Sequence, residues 1–219
     1  MTIDIITIFP KIFDSYLNES LLKRAQKKKL LKIKAHDLRE WTSDKHKTVD
    51  DKPFGGGLGM VMKIEPIFKA VSTLHIKKAR SKVILFTPRG EKFNQKKATE
   101  YAKLDQLIMI CGRYEGVDER VSKYIADEEI SIGDYVLMGG EAAAMVVTET
   151  VARLIPGVVG KSNFLRERMQ KKAFIEYPEY TRPEVFEING KKRRVPKVLI
   201  SGDHKKIEAW KKKHGRIIE

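Results

Sequence analysis

The sequence predicts an α/β protein, with a mostly parallel sheet covered by helices on both faces and a small second domain behind it. Three observations lead there. Short apolar runs of strand length alternate with stretches of helical period up to about residue 154. Two glycine-bearing turns, GRYEG (112–116) and SIGDYVLMGGE (131–141), each follow an apolar run. After residue 155 the texture changes to charged stretches and short apolar runs around prolines, which marks a second region.

Residues 2–8 (TIDIITI) read as the first strand. Pro10 then opens a helix, because its fixed φ suits a first turn and Ile12, Phe13, Tyr16, Leu17, Leu21 and Leu22 recur at helical spacing. The basic run 24–29 complements the negative end of that helix's dipole. LLKIKAHDL (30–38) is the second strand, and the polar, aperiodic segment 39–52 leads into PFGGGLGM (53–60), expected as a flexible loop. No Lys-Ser/Thr follows those glycines and no strand immediately precedes them, so the loop is neither a P-loop nor a dinucleotide fingerprint. A helix at 63–75, strand at 82–87, helix at 92–102, strand at 106–110, short helix at 117–125, strand at 128–132 and helix at 140–154 follow in βα alternation. PGVVG (156–160) closes the last helix.

The region beyond divides into a charged connector and a small domain from about residue 174 that ends in a basic helix at 203–214. Across its 219 residues the chain carries 44 Lys and Arg against 29 Asp and Glu, a net charge of +15. Such an excess predicts an anionic partner, RNA or DNA before a membrane, since no apolar stretch reaches the roughly 18 residues of a membrane span. The basic C-terminal segment reads either as a phosphate-binding surface or as a solvated face. No signal peptide is expected, because Asp4 interrupts the apolar N-terminus and no small-residue cleavage site follows. The single cysteine, Cys111, suits a reducing cytoplasm and reads as a buried strand-end residue. With no Cys/His cluster, no metal site is expected.

Either glycine turn alone reads as a tight turn needing positive φ. Together, each at the end of an apolar strand, they favour a small-molecule site at the strand ends of an open α/β sheet, where backbone groups approach a ligand without side-chain obstruction.

Eight segments in order (IFPKIF, HKTVDDKPFGGGLGM, LFTPRG, CGRYEGVDERV, EEISIGDYVLMGGE, VARLIPGVVG, YPEYTRPEV and VLISGDHKKIEAW) carry a resemblance over nearly the whole chain. It resembles the bacterial tRNA (guanine-37-N1)-methyltransferase family TrmD, of the trefoil-knotted SPOUT class. The resemblance implies a deep knot in an α/β domain of residues 1–158, a linker at 159–173 bearing the catalytic segment, and a small, mainly helical, basic tRNA-binding domain at 174–219. It implies S-adenosylmethionine held in a bent conformation by Leu85, Phe86, Thr87, Pro88, Gly112, Glu115, Gly116, Ile132, Gly133, Asp134, Tyr135, Val136, Leu137, Gly139 and Gly140. Val136 and Leu137 read equally as core residues. Asp50, Gly55, Gly56 and Gly57 would hold the surroundings of the target guanosine. The substrate would be tRNA with G at position 37, and the enzyme a cytoplasmic homodimer with its active site at the subunit interface.

Two departures stand out. The family has Leu-Pro after the GGE motif, where this chain has Ala142 and Ala143. The family's catalytic aspartate position falls on Arg168, beside Glu167. Guanine N1 is protonated at neutral pH, so methylation needs a base there and a cation or donor for the charge that develops toward O6. By resemblance Arg153 is the cation; a helix-terminal arginine facing the dipole is the competing reading. Glu167 is the base on a one-residue slide, or else a surface partner of a nearby arginine. Another knotted RNA methyltransferase, and an RNA-binding module that has lost its base, are the competing functions.

Overall fold

Apolar strands buried on both faces build the centre of this protein. The computed structural model describes residues 1–76, 79–159, 169–170 and 173–218. In chain order these form β1 (Thr2–Thr7), α1 (Asp14–Leu17), α2 (Ser20–Lys27), β2 (Lys32–Asp37), β3 (Asp50–Asp51), β4 (Val61–Met62), α3 (Ile64–Leu74), β5 (Ser81–Lys92), α4 (Gln95–Tyr101), β6 (Gln106–Ile110), α5 (Glu119–Tyr124), β7 (Glu128–Ser131) and α6 (Glu141–Leu154). Five strands make one sheet in the order β2-β1-β6-β5-β7, each neighbour parallel. Ile3, Ile5, Ile84, Phe86, Leu107, Met109 and Ile130 point to a core shared with α2 and α6. Ile6, Val83, Leu85, Ile108 and Ile110 point to a second core under α3 and α5. Strands buried on both faces read as continuous apolar runs, which is why the alternation of elements was visible in the sequence. Asp4, a buried carboxylate in β1, is satisfied by His36 Nε2 at 2.9 Å and by Gln106 Nε2 at 2.7 Å, so it ties β1 to both neighbours.

Three local features differ from the sequence reading. The helix expected from Pro10 is broken: a 3-10 turn at Pro10–Phe13 and α1 end at Asn18, and α2 starts afresh at Ser20. The Asn18 side-chain amide donates to the Asp14 carbonyl at 2.7 Å, and Gln26 caps the Leu17 carbonyl at 2.9 Å, so side chains take acceptors a continuous helix would use. The segment expected as a flexible glycine loop is held at its root by the antiparallel pair β3–β4. Finally, β5 runs on past Phe86. Phe86 and Glu91 both register against Ile130, so residues 87–90 leave the ladder as a four-residue excursion. Gly90 returns the chain to the sheet; a Cβ there would lie 2.5 Å from the Ile130 amide nitrogen.

The chain divides into two units, Met1–Ser162 and Asn163–Glu219. The second contains β8 (Met169–Gln170), β9 (Ala173–Glu176), β10 (Val185–Ile188), β11 (Lys191–Arg194), α7 (His204–His214) and β12 (Arg216–Ile218). This corrects the expectation of a mainly helical domain. β12, β9 and β8 form one antiparallel sheet and β10–β11 a hairpin around Asn189-Gly190, both with positive φ. Val185, Phe186 and Ile188 looked like short runs among prolines, but Asn-Gly supplies the tight turn that pairs them with a charged strand. The helix α7 is capped by Asp203, whose side chain accepts from the Lys206 amide, and packs Trp210 against Tyr180 and His214.

Candidate functional site

Because β6, β5 and β7 are adjacent and parallel, their carboxyl ends emerge side by side, and three loops meet there. These are the excursion at 87–90, the turn at 112–118 and the loop at 131–140. They enclose a cleft of about 470 Å³, within the range of about 300–1,000 Å³ usual for small-molecule sites.

Glycine lets the wall of this cleft close. Gly140 immediately precedes α6; its amide donates to the Gly112 carbonyl at 3.0 Å, and a Cβ on it would lie 2.7 Å from Cys111 Cα. The first turn of α6 is thereby set against the end of β6. At Gly139 a Cβ would run into the Arg113 side chain. Arg113 is fixed in turn: its Nε donates to Glu141 Oε2 at 2.9 Å, and its guanidinium lies over the Phe9 ring, 4.8 Å from the centroid. Glu141, 1% exposed, also accepts from the Thr7 hydroxyl at 2.6 Å. A buried carboxylate with one guanidinium and one hydroxyl donor thus pins β1, the 112–118 turn and α6 together. Cys111 behind it is wholly buried, and burial, reinforced by Glu141, pushes its thiol well above the ordinary range, so it is no nucleophile at neutral pH.

The 112–118 turn carries strain. Tyr114 sits in the left-handed region at φ 59°, a conformation costing about 1–2 kcal/mol for a residue with a Cβ. Burial and the facing Asp50 carboxylate raise its phenol pKa. Across the cleft, Ser131 Oγ binds both the amide and the carbonyl of Gly133, and Tyr135 donates to the Ile132 carbonyl at 3.2 Å. Val136 and Met138 stand out at the rim, 81% and 89% exposed. On the opposite rim Arg89 pairs with Glu119 and Glu129, which hold its guanidinium charged.

Of the residues the sequence assigned to the cofactor, Leu85, Phe86, Thr87, Pro88, Gly112, Glu115, Gly116, Ile132, Tyr135, Val136, Leu137, Gly139 and Gly140 line this cleft. Gly133 and Asp134 do not: the space a Cβ would take at Gly133 is filled by the Tyr135 ring, and Asp134 pairs with Lys92. Ala143, the second residue after the GGE motif, is 4% exposed and forms part of the wall.

The assigned substrate residues belong to the β3–β4 hairpin, with Asp50 half-buried at its root and Gly55, Gly56 and Gly57 exposed at its tip. That root is stitched to the cleft: the Met62 amide donates to Gly116 O at 2.9 Å, the Glu115 amide to Met60 O at 3.0 Å, and the Asp118 amide to Met62 O at 2.9 Å. Arg153 stands exposed in the last turn of α6, and Glu167 lies outside the described residues. Sequence reasoning missed Arg113 as a determinant of the cleft. It stands inside the GRYEG motif, but its role depends on Glu141, 28 residues away.

The profile of the family described as tRNA (Guanine-1)-methyltransferase TrmD matches residues 1–217. Among curated relatives, a tRNA (guanine-N(1)-)-methyltransferase from Dictyoglomus turgidum is 56% identical over 213 residues, covering 97% of this chain and 84% of its own. Proteins of the same description from Carboxydothermus hydrogenoformans and Geobacillus kaustophilus are 52% and 48% identical, again over 97% of this chain and over 82% and 86% of theirs. A match that runs through both units, at about half the residues identical, is far more than a shared α/β sheet requires, and by it this chain belongs to the TrmD family of tRNA (guanine-1)-methyltransferases.

Proposed function

We propose that this protein transfers a methyl group from S-adenosylmethionine to N1 of guanosine 37, beside the anticodon of tRNA. The observation that carries the reading is the glycine-walled cleft at the ends of β5, β6 and β7, in a chain whose family methylates guanine N1 in tRNA. The cleft suits such a donor by its chemistry. Ile132 and Leu137 offer apolar surface for a flat base beside the buried Leu85 and Phe86, and Gly112 and Gly116 in the lining bring the backbone close without side-chain obstruction. S-adenosylmethionine bound there would supply a sulfonium-activated methyl group, with the neutral thioether as leaving group.

The chain's own residues prepare the nucleophile. Glu167 takes the N1 proton, which frees the N1 lone pair to form the new N–CH₃ bond. Arg153 stabilises the charge that grows on O6 as the proton leaves. Residues 1–158 form the transfer domain, knotted as a SPOUT trefoil. Residues 159–173 act as a linker that brings the base, and residues 174–219 grip the RNA. Lys191, Lys192, Arg193 and Arg194 form an entirely exposed strand there, suited to phosphates. The working unit is a cytoplasmic homodimer with the active site at the subunit interface. No helix among the described residues is long and apolar enough to cross a membrane.

Radiolabelled methyl transfer to tRNA transcripts with G, A or U at position 37 tests this reading: only the G37 transcript is expected to react. Glu167→Gln keeps shape but cannot accept a proton, so the rate should fall about 100-fold with S-adenosylhomocysteine binding unchanged by calorimetry. Arg168→Asp in that background should restore part of the rate. Full activity of Glu167→Gln would move the base elsewhere, with Asp50 next to test.

A further inference from the structure

The hairpin beside the cleft ends in two bulky apolar side chains that no described residue covers. Phe54 is 102% and Leu58 95% exposed. Between them Gly55 and Gly56 hold φ of 87° and 79° with nothing within 4 Å of where a Cβ would be, so among the described residues the tip has no packing partner. Its root is the opposite. The backbone bonds to Met60 and Met62 fix it to the 112–118 turn, and at Gly59 a Cβ would lie 2.6 Å from Glu115 Cγ, a residue of the cleft wall. Exposed tips of this kind ordinarily carry polar residues, and an aromatic ring standing free on glycines calls for a partner outside the fold. The segment itself is charge-balanced, with Lys45, Lys47 and Lys52 against Asp44, Asp50 and Asp51, so it is the chain's net charge of +15 that favours an anionic partner.

Nucleic acid supplies both properties. A guanine whose N1 must be reached has to leave its stack, and a protein ring can replace the lost stacking on the bases it leaves behind. We propose that Phe54 stacks on a nucleotide flanking the target guanosine and, with Leu58 beside it, holds the space which that guanosine vacates. The inference rests on the tRNA-methyltransferase reading. Phe54 is then a positioning residue: it touches the neighbour of the reacting base and leaves the methyl donor alone.

A cycle of substitutions in protein and RNA tests it. Single-turnover methyl transfer is measured for the full-length protein and its Phe54→Ala and Phe54→Trp forms. The substrate is an anticodon stem-loop, used intact or with one abasic nucleotide on the 5′ or the 3′ side of the target. Phe54→Ala is expected to slow transfer about tenfold on the intact loop, and Phe54→Trp to keep the native rate. On one of the two abasic loops the native protein should fall to the rate of Phe54→Ala, with no further loss in the double combination. Since no described residue covers Phe54, S-adenosylhomocysteine binding by calorimetry should be the same in all three proteins. Losses that multiply on both abasic loops, or a Phe54→Ala protein as fast as the native one, would overturn the inference. So would a native oligomer that dissociates on Phe54→Ala in light scattering, because the ring would then belong to a contact between copies. Failure of the native protein to methylate the intact loop would instead strike the tRNA-methyltransferase reading itself.

Discussion

The cleft wall and the hairpin tip are both written in glycine, and they use it for opposite ends. At the wall, Gly139 and Gly140 are small because Arg113 and Cys111 already occupy the space a side chain would need. At the tip, Gly55 and Gly56 meet nothing and serve only the left-handed turn. The wall is anchored by a buried carboxylate with a hydroxyl and a guanidinium on it, the tip by nothing beyond its root. The same residue type thus gives a rigid cradle where packing surrounds it and a free arm where it does not. A donor pocket has to be preorganised, whereas a segment that enters RNA benefits from staying open until the RNA arrives.

Several substitutions would break or sharpen this contrast. The largest effect is expected at the wall. Gly140→Val drives a branched side chain into the Cys111 backbone, so S-adenosylhomocysteine affinity should drop about 100-fold or more by calorimetry, equivalent to the upper end of overpacking costs. Binding that survives Gly140→Val would show that the wall yields. Next, Glu141→Gln leaves Arg113 without its buried counter-charge and should lower unfolding stability by about 3 kcal/mol in denaturant titration.

A pH test reaches the far end of β7, where Glu128 accepts from Tyr101 at 2.5 Å and pairs with Lys82 and Lys97. Burial alone would raise this carboxyl, but the three donors outweigh it and hold its pKa below the usual carboxylate value. A depressed folded pKa contributes stability that is full above the unfolded value and is lost as pH falls through the folded one. Glu128→Gln should therefore cost about 2 kcal/mol at pH 7, with the gap to the native protein closing as pH drops below the carboxylate range. A gap that persisted there would assign the cost to packing. The smallest effect belongs to the tip. Gly56→Ala strains one left-handed residue for about 1–2 kcal/mol and should leave donor affinity unchanged. A donor-binding defect there would mean that tip and wall are one rigid body.

Much of this was legible before folding. Runs such as KVILFT and QLIMI are apolar because β5 and β6 are covered on both faces, so their burial is recorded residue by residue. The glycines of 112–116 and 131–140 pointed to a backbone-lined site because no helix or strand has need of so many. The split of α1 from α2 was less visible, since the apolar spacing continues across Asn18 and only side-chain bonds to carbonyls reveal the stop. The β3–β4 pair was not visible at all. Two-residue strands have no period to read, and their hydrogen bonds are completed by the 112–118 turn some fifty residues later.

By itself the sequence determined the βα alternation of the first unit, its parallel sheet, the net positive charge and the family, because periodicity, composition and motif order are local properties of the chain. Only the tertiary structure decided that Arg113 meets Glu141, that residues 87–90 leave the ladder opposite Ile130, and that the glycine hairpin is stitched to the cleft with Phe54 left bare. Those are pairings between distant positions. Their free energy comes from burial and from bonds that exist only once both partners are in place, so neither partner carries a sign of the other in its own neighbourhood.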